Sequence, residues 1–279
     1  MTNKTFALGG DLPINRLGFG AMRLPTATFN GPLRDPETGI AVLRRALELG
    51  VNHIDTAGFY GRDEVRSNDL IRKALAPYAD DLVIATKVGP IFGSNGVPSG
   101  QGGPKDLRGL VEGNLKDLGL ERLDLVYLRT GGMTGPGGES IAERFAVLAE
   151  LRREGLIRHL GVSNIDVEQL AEARAIAPVV AVQNHADETS VQAICEAAGI
   201  AYVPFFALGG GNNPLDTDRL GKVAARLDAT VAQVATAFLL AQSPVTLAIP
   251  GTGSIAHLEE NVAAGDLELS DEDLADLRA

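Results

Sequence analysis

A single cysteine, Cys195, stands in a chain of 279 residues. It excludes an intramolecular disulfide and a cysteine-built zinc cage, and four histidines add no evident metal-ligand set. Basic charge is also scarce. Lys plus Arg number 25 against 36 Asp plus Glu, a formal net charge of −11, so the broad positive field that nucleic acid or an anionic membrane surface requires is missing. Small anions can still be held by local groups. No apolar run is long enough to span a bilayer, and the N-terminus does not combine a basic start with an apolar stretch. The expectation is a soluble, cytoplasmic protein with neither nucleic acid nor membrane as partner. Linkers, charge blocks, low-complexity tracts and internal repeats are missing too, so residues 1–279 read as one domain. What the chain does have is apolar material, 45% hydrophobic against 22% charged, enough for a large core.

That apolar material is rhythmic. Short runs near 17–20, 52–55, 82–87, 124–128, 157–162, 179–183, 200–204 and 246–249 read as strands buried on both faces. Helical spacing recurs between them, as in Ile40, Leu43 and Leu47, or Leu107, Leu110, Val111, Leu115 and Leu118. Gly50, Gly119, Gly155 and Gly199 each end a helical stretch ahead of a strand. This alternation predicts a parallel sheet with crossover helices. Eight strands in a chain of this length favour a closed (β/α)₈ TIM barrel over an open doubly wound sheet. Thr5-Phe6-Ala7-Leu8, Gly9-Gly10 and Ile14-Asn15 predict an N-terminal β-hairpin before the first barrel strand. Ser270 and Asp273 predict a capping box on a short last helix.

In such a barrel, chemistry gathers where strands end and loops begin. Asp55 ends the second strand, with Tyr60 shortly after it. Lys87 ends the third, Arg129 the fourth, Ser163 and Asn164 the fifth, Gln183 and Asn184 the sixth. Singly these mean little: a lone tyrosine usually packs, and a lone Asp–Lys pair is usually structural. His53, inside a strand, reads as core. Jointly they suit carbonyl reduction, which needs a hydride donor and a proton donor at one carbonyl. A phenol is a weak acid, reference pKa ~10; a neighbouring ammonium favours its ionised form, and a carboxylate behind the ammonium holds it in place. Tyr60, Lys87 and Asp55 supply those three groups.

The segments Leu17-Gly18-Phe19-Gly20, Asn52-His53-Ile54-Asp55-Thr56-Ala57 with Tyr60, Ala85-Thr86-Lys87, Gly161-Val162-Ser163-Asn164, Val182-Gln183-Asn184 and Ile249-Pro250-Gly251-Thr252 resemble, in order and spacing, the aldo-keto reductases along essentially the whole chain. The runs 203–210 and 256–261 are most similar to a bacterial subgroup that includes a pyridoxal reductase. The resemblance implies an NAD(P)H-dependent oxidoreductase that reduces an aldehyde or ketone, a pyridoxal-like compound among them. It gives Tyr60 the role of proton donor, Lys87 that of its tuner, and Asp55 that of the lysine's anchor. It implies NADP(H), with NAD left open. Gly20, Ala21, Met22 and Asp55 are then cofactor contacts, Ser163, Asn164 and Gln183 fix the nicotinamide carboxamide, and Phe205 stacks on its ring. Phe206 and Ala207 adjoin it, while Leu208, Gly209 and Gly210 approach the pyrophosphate. Pro250, Gly251, Thr252, Ser254 and His257 surround the adenosine phosphate, with Glu260 and Asn261 at the adenine. Strand alternation places one ring of Phe205 and Phe206 in the core.

Four positions depart from the family pattern. Arg129 stands where a histidine is usual. Arginine is a permanent cation and no neutral base; it can polarise a carbonyl, hold a phenolate, carboxylate or phosphate, or be locked onto a loop carboxylate. Gly251 and His257 stand where many members have Lys and Arg, which leaves the choice of NADP or NAD open. His185 begins a shortened loop after Asn184 and either enters the pocket or is solvated. Two alternatives follow: a biosynthetic relative with altered chemistry on an anionic substrate held by Arg129, or a cofactor-binding sensor or partner protein. The sequence does not define an oligomeric state.

Overall fold

The chain opens as a hairpin in which β1 (Thr5–Leu8) pairs antiparallel with β2 (Leu12–Asn15). The computed structural model describes residues 4–28, 31–92, 98–132, 135–186, 188–208 and 217–278. β3 (Phe19–Gly20) and β4 (His53–Asp55) begin a parallel sheet, and β5 (Gly61–Arg62) and β6 (Val65–Arg66) form a small ladder in the next loop. β7 (Val83–Val88) continues the sheet, and β8 (Pro90–Phe92) and β9 (Pro98–Gln101) make a second small ladder. β10 (Leu123–Arg129), β11 (Ile157–Ser163), β12 (Val179–Gln183) and β13 (Ala201–Tyr202) complete it. The strands of this seven-stranded sheet lie side by side in chain order. The helices are α1 (Pro36–Glu48), α2 (Ser67–Leu75), α3 (Pro104–Leu118), α4 (Ala142–Arg153), α5 (Val167–Ile176), α6 (Gln192–Ala198), α7 (Thr217–Leu227), α8 (Val231–Ala241), α9 (Ile255–Ala263) and α10 (Asp271–Arg278).

The eighth expected strand, 246–249, forms single bridges instead of a ladder. Thr246 bridges Tyr202 on one side and Ala248 bridges Leu17 on the other. Leu247 N–H donates to Tyr202 O, and Ala248 N–H to Arg16 O, both at 2.8 Å. These contacts join the two edges of the sheet into a barrel. The segment is short because prolines flank it: Pro244 and Pro250 bring no amide donor, and Pro204 cuts β13 short in the same way. Arg16 anchors the closure from within, donating to the carbonyls of Thr246 at 3.0 Å and of Leu240 and Ser243 at 2.6 Å.

Side chains alternate along each strand, so one set meets the helices and the other fills the barrel. Ile54, Ile84, Val126, Leu160 and Val182 pack outward against Leu107, Val111, Phe145 and Leu148. Val83, Ala85, Leu125, Tyr127, Ala181, Ala201 and Leu247 point inward and meet Leu8, Leu12 and Ile14 of the hairpin. Asn15 N–H donates to the Asn52 side chain at 2.8 Å, which fixes the hairpin at the end where the strands begin. The strand C-terminal ends stay open. Gly119 and Gly199, two of the expected helix stops, adopt φ of 69° and 64°, a conformation that glycine takes at little cost. Ser270 and Asp273 exchange the expected capping hydrogen bonds at α10. Among the described residues no single helix is long and apolar enough to cross a membrane; α7 and α8 pass together only as a pair bent by 98°.

His53 lies on the inner face of β4, 1% exposed, with Nδ1 buried and without a hydrogen-bond partner. Burial pulls its pKa from the ordinary 6.5 down to about 4, with Asp55 opposing and Lys87 adding to the fall. The folded protein therefore holds the imidazole neutral while the unfolded chain takes up a proton first. The stability tied to this residue is fully present above pH 6.5 and is lost as pH falls toward about 4, on the order of 3 kcal/mol. Urea denaturation across that window should show a shallower acid slope for His53→Asn than for the wild type. Parallel slopes would mean that His53 is not the group responsible.

Candidate active site

Alternation brings Asp55 on β4, Lys87 on β7 and Gln183 on β12 to the barrel interior at the strand ends. Lys87 Nζ donates to Asp55 Oδ1 at 2.5 Å and to Thr56 O at 3.0 Å, with the two charged side chains 2% and 4% exposed. Gln183 Nε2 donates to the other carboxylate oxygen, Oδ2, at 2.7 Å. The turn after β4 adds Tyr60, whose ring centroid lies 4.8 Å from Lys87 Nζ and whose side chain is hydrogen-bonded to it. Burial by itself lowers the lysine's pKa. Attraction to Asp55 and Tyr60, with hydrogen bonds to both, outweighs burial and leaves the pKa above its ordinary value. Lys87 is thus a fixed ammonium between a carboxylate and a phenol.

Tyr127 extends this network and is not singled out by the sequence, where it reads as one more apolar residue of β10. It is 1% exposed and hydrogen-bonded to Gln183; burial first, and then the Asp55 charge, hold its phenol well above the ordinary range. Gln183 therefore links a neutral phenol to the carboxylate. Arg129, two residues further along β10, donates to Ser163 Oγ at 3.4 Å and to Gly132 O at 3.2 Å. Its guanidinium carbon lies 5.0 Å from the Phe205 centroid, a cation–π contact. Burial lowers its pKa, against the pull of Tyr60 and Asp55, but an arginine remains charged.

Asp55, Tyr60, Lys87, Arg129 and Gln183 line a cleft of about 800 Å³ at the strand C-terminal ends. One wall is aromatic: the rings of Phe59 and Phe92 stack 5.1 Å apart with planes 9° from parallel, and Phe59 meets Tyr60 edge-on at 5.2 Å. Phe205 and Phe206 both line the cleft, so the expected split into one core ring and one pocket ring does not occur. The reason is local: Phe206 has a φ of 61°, which breaks the strand alternation after Pro204. His185 packs edge-on against both rings and is not among the residues lining the cleft.

Gly20, Met22, Asp55, Gln183, Phe205, Phe206, Ala207, Leu208, Pro250, Gly251 and Thr252, all expected at a cofactor, line the same cleft. Others do not reach it. Ala21 and Ser163 are fully buried, with Ser163 Oγ accepting from Arg129. Asn164 Nδ2 donates to the carbonyls of Thr130, Gly132 and Gly135 at 2.9, 3.1 and 2.7 Å, so its amide nitrogen tethers the loop after β10. Ser254, His257, Glu260 and Asn261 lie outside the lining, and Glu260 accepts a hydrogen bond from Thr230 at the start of α8. Gly209 and Gly210 fall outside the described residues.

The cleft has a charge pattern that the sequence hides. Arg23, Arg34, Arg62, Lys87 and Arg129 line it, and Asp55 is the one acid among its described lining residues, in a chain of net charge −11. Arg34 Nε is buried without a hydrogen-bond partner. A Cβ on Gly251 would lie 2.3 Å from Gly20 O, so the backbones pass too closely for any side chain at 251. That contact explains why no lysine stands there. An excess of cations over acids in the lining, bare backbone and flat aromatic walls together suit a ligand with several negative charges and a planar ring.

A model described as the aldo/keto reductase family matches residues 16–279. The chain is 48% identical to pyridoxine 4-dehydrogenase of Escherichia coli K12 over 285 aligned residues, covering 99% of this chain and 98% of that one. A thermostable aldo-keto reductase solved with the inhibitor epalrestat shares the fold with a TM-score of 0.80 at 29% identity, covering 97% of each chain. An aldo-keto reductase from Klebsiella pneumoniae, solved in complex with NADPH, gives a TM-score of 0.80 at 25% identity, covering 99% of this chain and 94% of that one.

Proposed function

This chain is a member of the aldo/keto reductase family, and on that premise we propose that it reduces a flat, anion-bearing aldehyde or ketone of the pyridoxal type with NADPH. The observation that carries the proposal is the buried chain from Asp55 through Lys87 to Tyr60 at the floor of a cationic cleft. The dinucleotide suits that cleft through the unpartnered Arg34 Nε and the close Gly20–Gly251 backbones. The NADPH complex of the Klebsiella protein and the identity to a pyridoxine 4-dehydrogenase support the same reading.

NADPH, when bound, supplies the hydride. The chain supplies the rest. The Tyr60 hydroxyl donates its proton to the carbonyl oxygen as negative charge develops there. The Lys87 ammonium, hydrogen-bonded to that phenol, compensates the charge left on it. Asp55 and Gln183 keep Lys87 from swinging out of line. The stacked Phe59 and Phe92 offer a planar wall for an aromatic substrate. Arg129 adds a fixed cation within electrostatic reach of Tyr60, placed to hold a phenolate or carboxylate substituent.

Arg129 also provides the test of the substrate class. Removing a charge-assisted hydrogen bond costs ~1.5–3 kcal/mol, about ten- to a hundredfold in rate. Arg129→His should lower kcat/KM for pyridoxal and for carboxylate-bearing benzaldehydes by that factor, with little loss for a neutral benzaldehyde of the same size. An unchanged order of preference would remove Arg129 from substrate recognition and leave only the general reductase reading.

A further inference from the structure

Arg34 is used neither by the catalytic chain nor by any site motif read from the sequence. A local hairpin sets its position: Thr26 bridges Leu33, and Arg34 N–H donates to Pro25 O at 2.8 Å. The next residue, Asp35, turns its carboxylate to the start of α1, where it accepts from Glu37 N–H at 3.3 Å. The neighbouring acid is therefore engaged with the helix. Among the described residues the Arg34 guanidinium has no carboxylate partner, and its Nε is buried without any hydrogen bond. An arginine nitrogen left so in a folded protein is costly, and the cost is met if a ligand supplies the acceptor.

The surroundings narrow the ligand. The guanidinium lies flat on Gly253, where a Cβ would sit 2.6 Å from Nε and Cζ. Gly253 and Thr252 line the cleft together with Arg34. Thr252 Oγ1 accepts from Ser254 N–H at 3.1 Å, which leaves its own hydroxyl proton free to be donated. The first turn of the nine-residue α9 begins here, and Ser254 makes no side-chain cap, so the helix's amide end is open to an anion. Arg23 lies within electrostatic reach of Tyr60 on one side and of Arg34 on the other. A line of cations thus runs from the reacting end of the cleft to Gly253.

We propose that Arg34, seated on Gly253, is a phosphate anchor for the dinucleotide, and that it takes over the charge that Gly251 cannot carry. This rests on the reading of the cleft as a nicotinamide dinucleotide site. The planar fork of arginine suits two oxygens of one phosphate group. The phosphate is either the 2′-phosphate that distinguishes NADPH or the diphosphate that NADPH and NADH share.

Titrating NADPH and NADH against the protein by reduced-nicotinamide fluorescence tests this without reference to turnover. Arg34→Ala should weaken NADPH roughly ten- to a hundredfold, the scale of a lost charge-assisted hydrogen bond. Arg34→Lys should recover part of the loss. Gly253→Ala leaves every charge in place and displaces the guanidinium, so it should weaken NADPH in the same direction. Melting curves without cofactor check that each variant is folded. An equal loss for NADH assigns the anchor to the diphosphate; unchanged NADH binding assigns it to the 2′-phosphate. If the wild type binds NADPH and folded Arg34→Ala binds it within about twofold as tightly, the inference is overturned and the cofactor reading stands. If the wild type binds neither cofactor, the reading beneath it falls as well.

Discussion

Tyr60→Phe is expected to lower kcat by ~10²–10⁴-fold, the usual contribution of a positioned general acid, while NADPH affinity stays within a few-fold of wild type. The two halves of that expectation come from different parts of the cleft. The phenol hydroxyl reaches the reacting carbonyl and is hydrogen-bonded to Lys87. The cations and bare backbone placed to hold a dinucleotide belong to other parts of the chain, among them Gly20, Arg23, Arg34 and residues 249–253. Phenylalanine keeps the edge-on packing with Phe59, so the fold and the aromatic wall should survive. Paired measurement of kcat and of NADPH affinity on the same preparations checks this. A variant that turns over within a few-fold of wild type would mean that another group delivers the proton.

Lys87→Met should be damaging in a second way. It removes the ammonium between Asp55 and Tyr60 and strands a carboxylate in a site where Asp55 is 3% exposed. Breaking a buried ion pair by deleting one partner typically costs ~3–5 kcal/mol. Much of that is the price of an unmatched charge, so the double variant Asp55→Asn with Lys87→Met should melt closer to wild type than Lys87→Met alone. Both variants should be catalytically crippled. Denaturant curves for the two variants give the stabilities; a single variant as stable as the double would mean that Asp55 does not carry the charge assigned to it.

The barrel is legible in the sequence because buried parallel strands are written as local apolar runs with glycine stops. The closing strand is legible as the run 246–249 but its form is not, because prolines at 244 and 250 reduce it to single bridges that depend on partners more than forty residues away, such as Tyr202 and Leu17. The site is legible where it depends on strand ends: Asp55, Lys87, Gln183 and Arg129 each follow an apolar run and converge by alternation alone. Tyr127 is hidden because an inward tyrosine in β10 looks like core until Gln183 is seen beside it. Arg34 is hidden more deeply. Its seat on Gly253 joins two loops far apart in the chain, and an arginine beside an aspartate reads as an ordinary surface pair. Asn164 carries a second role that its motif does not show: at the expected strand end, its amide nitrogen donates to the loop carbonyls of Thr130, Gly132 and Gly135.

The central claim is that this cleft performs carbonyl reduction and does not merely hold a dinucleotide. A single-turnover experiment tests it most directly. Protein loaded with one equivalent of NADPH is mixed with excess pyridoxal, and the reduced-nicotinamide absorbance is followed alongside the alcohol formed. The account predicts loss of that absorbance with one alcohol produced per NADPH consumed, and a much slower trace for Tyr60→Phe. Tight NADPH binding with no oxidation by pyridoxal or by carboxylate-bearing and neutral aldehydes would contradict it, and would leave a protein that binds the cofactor without using it.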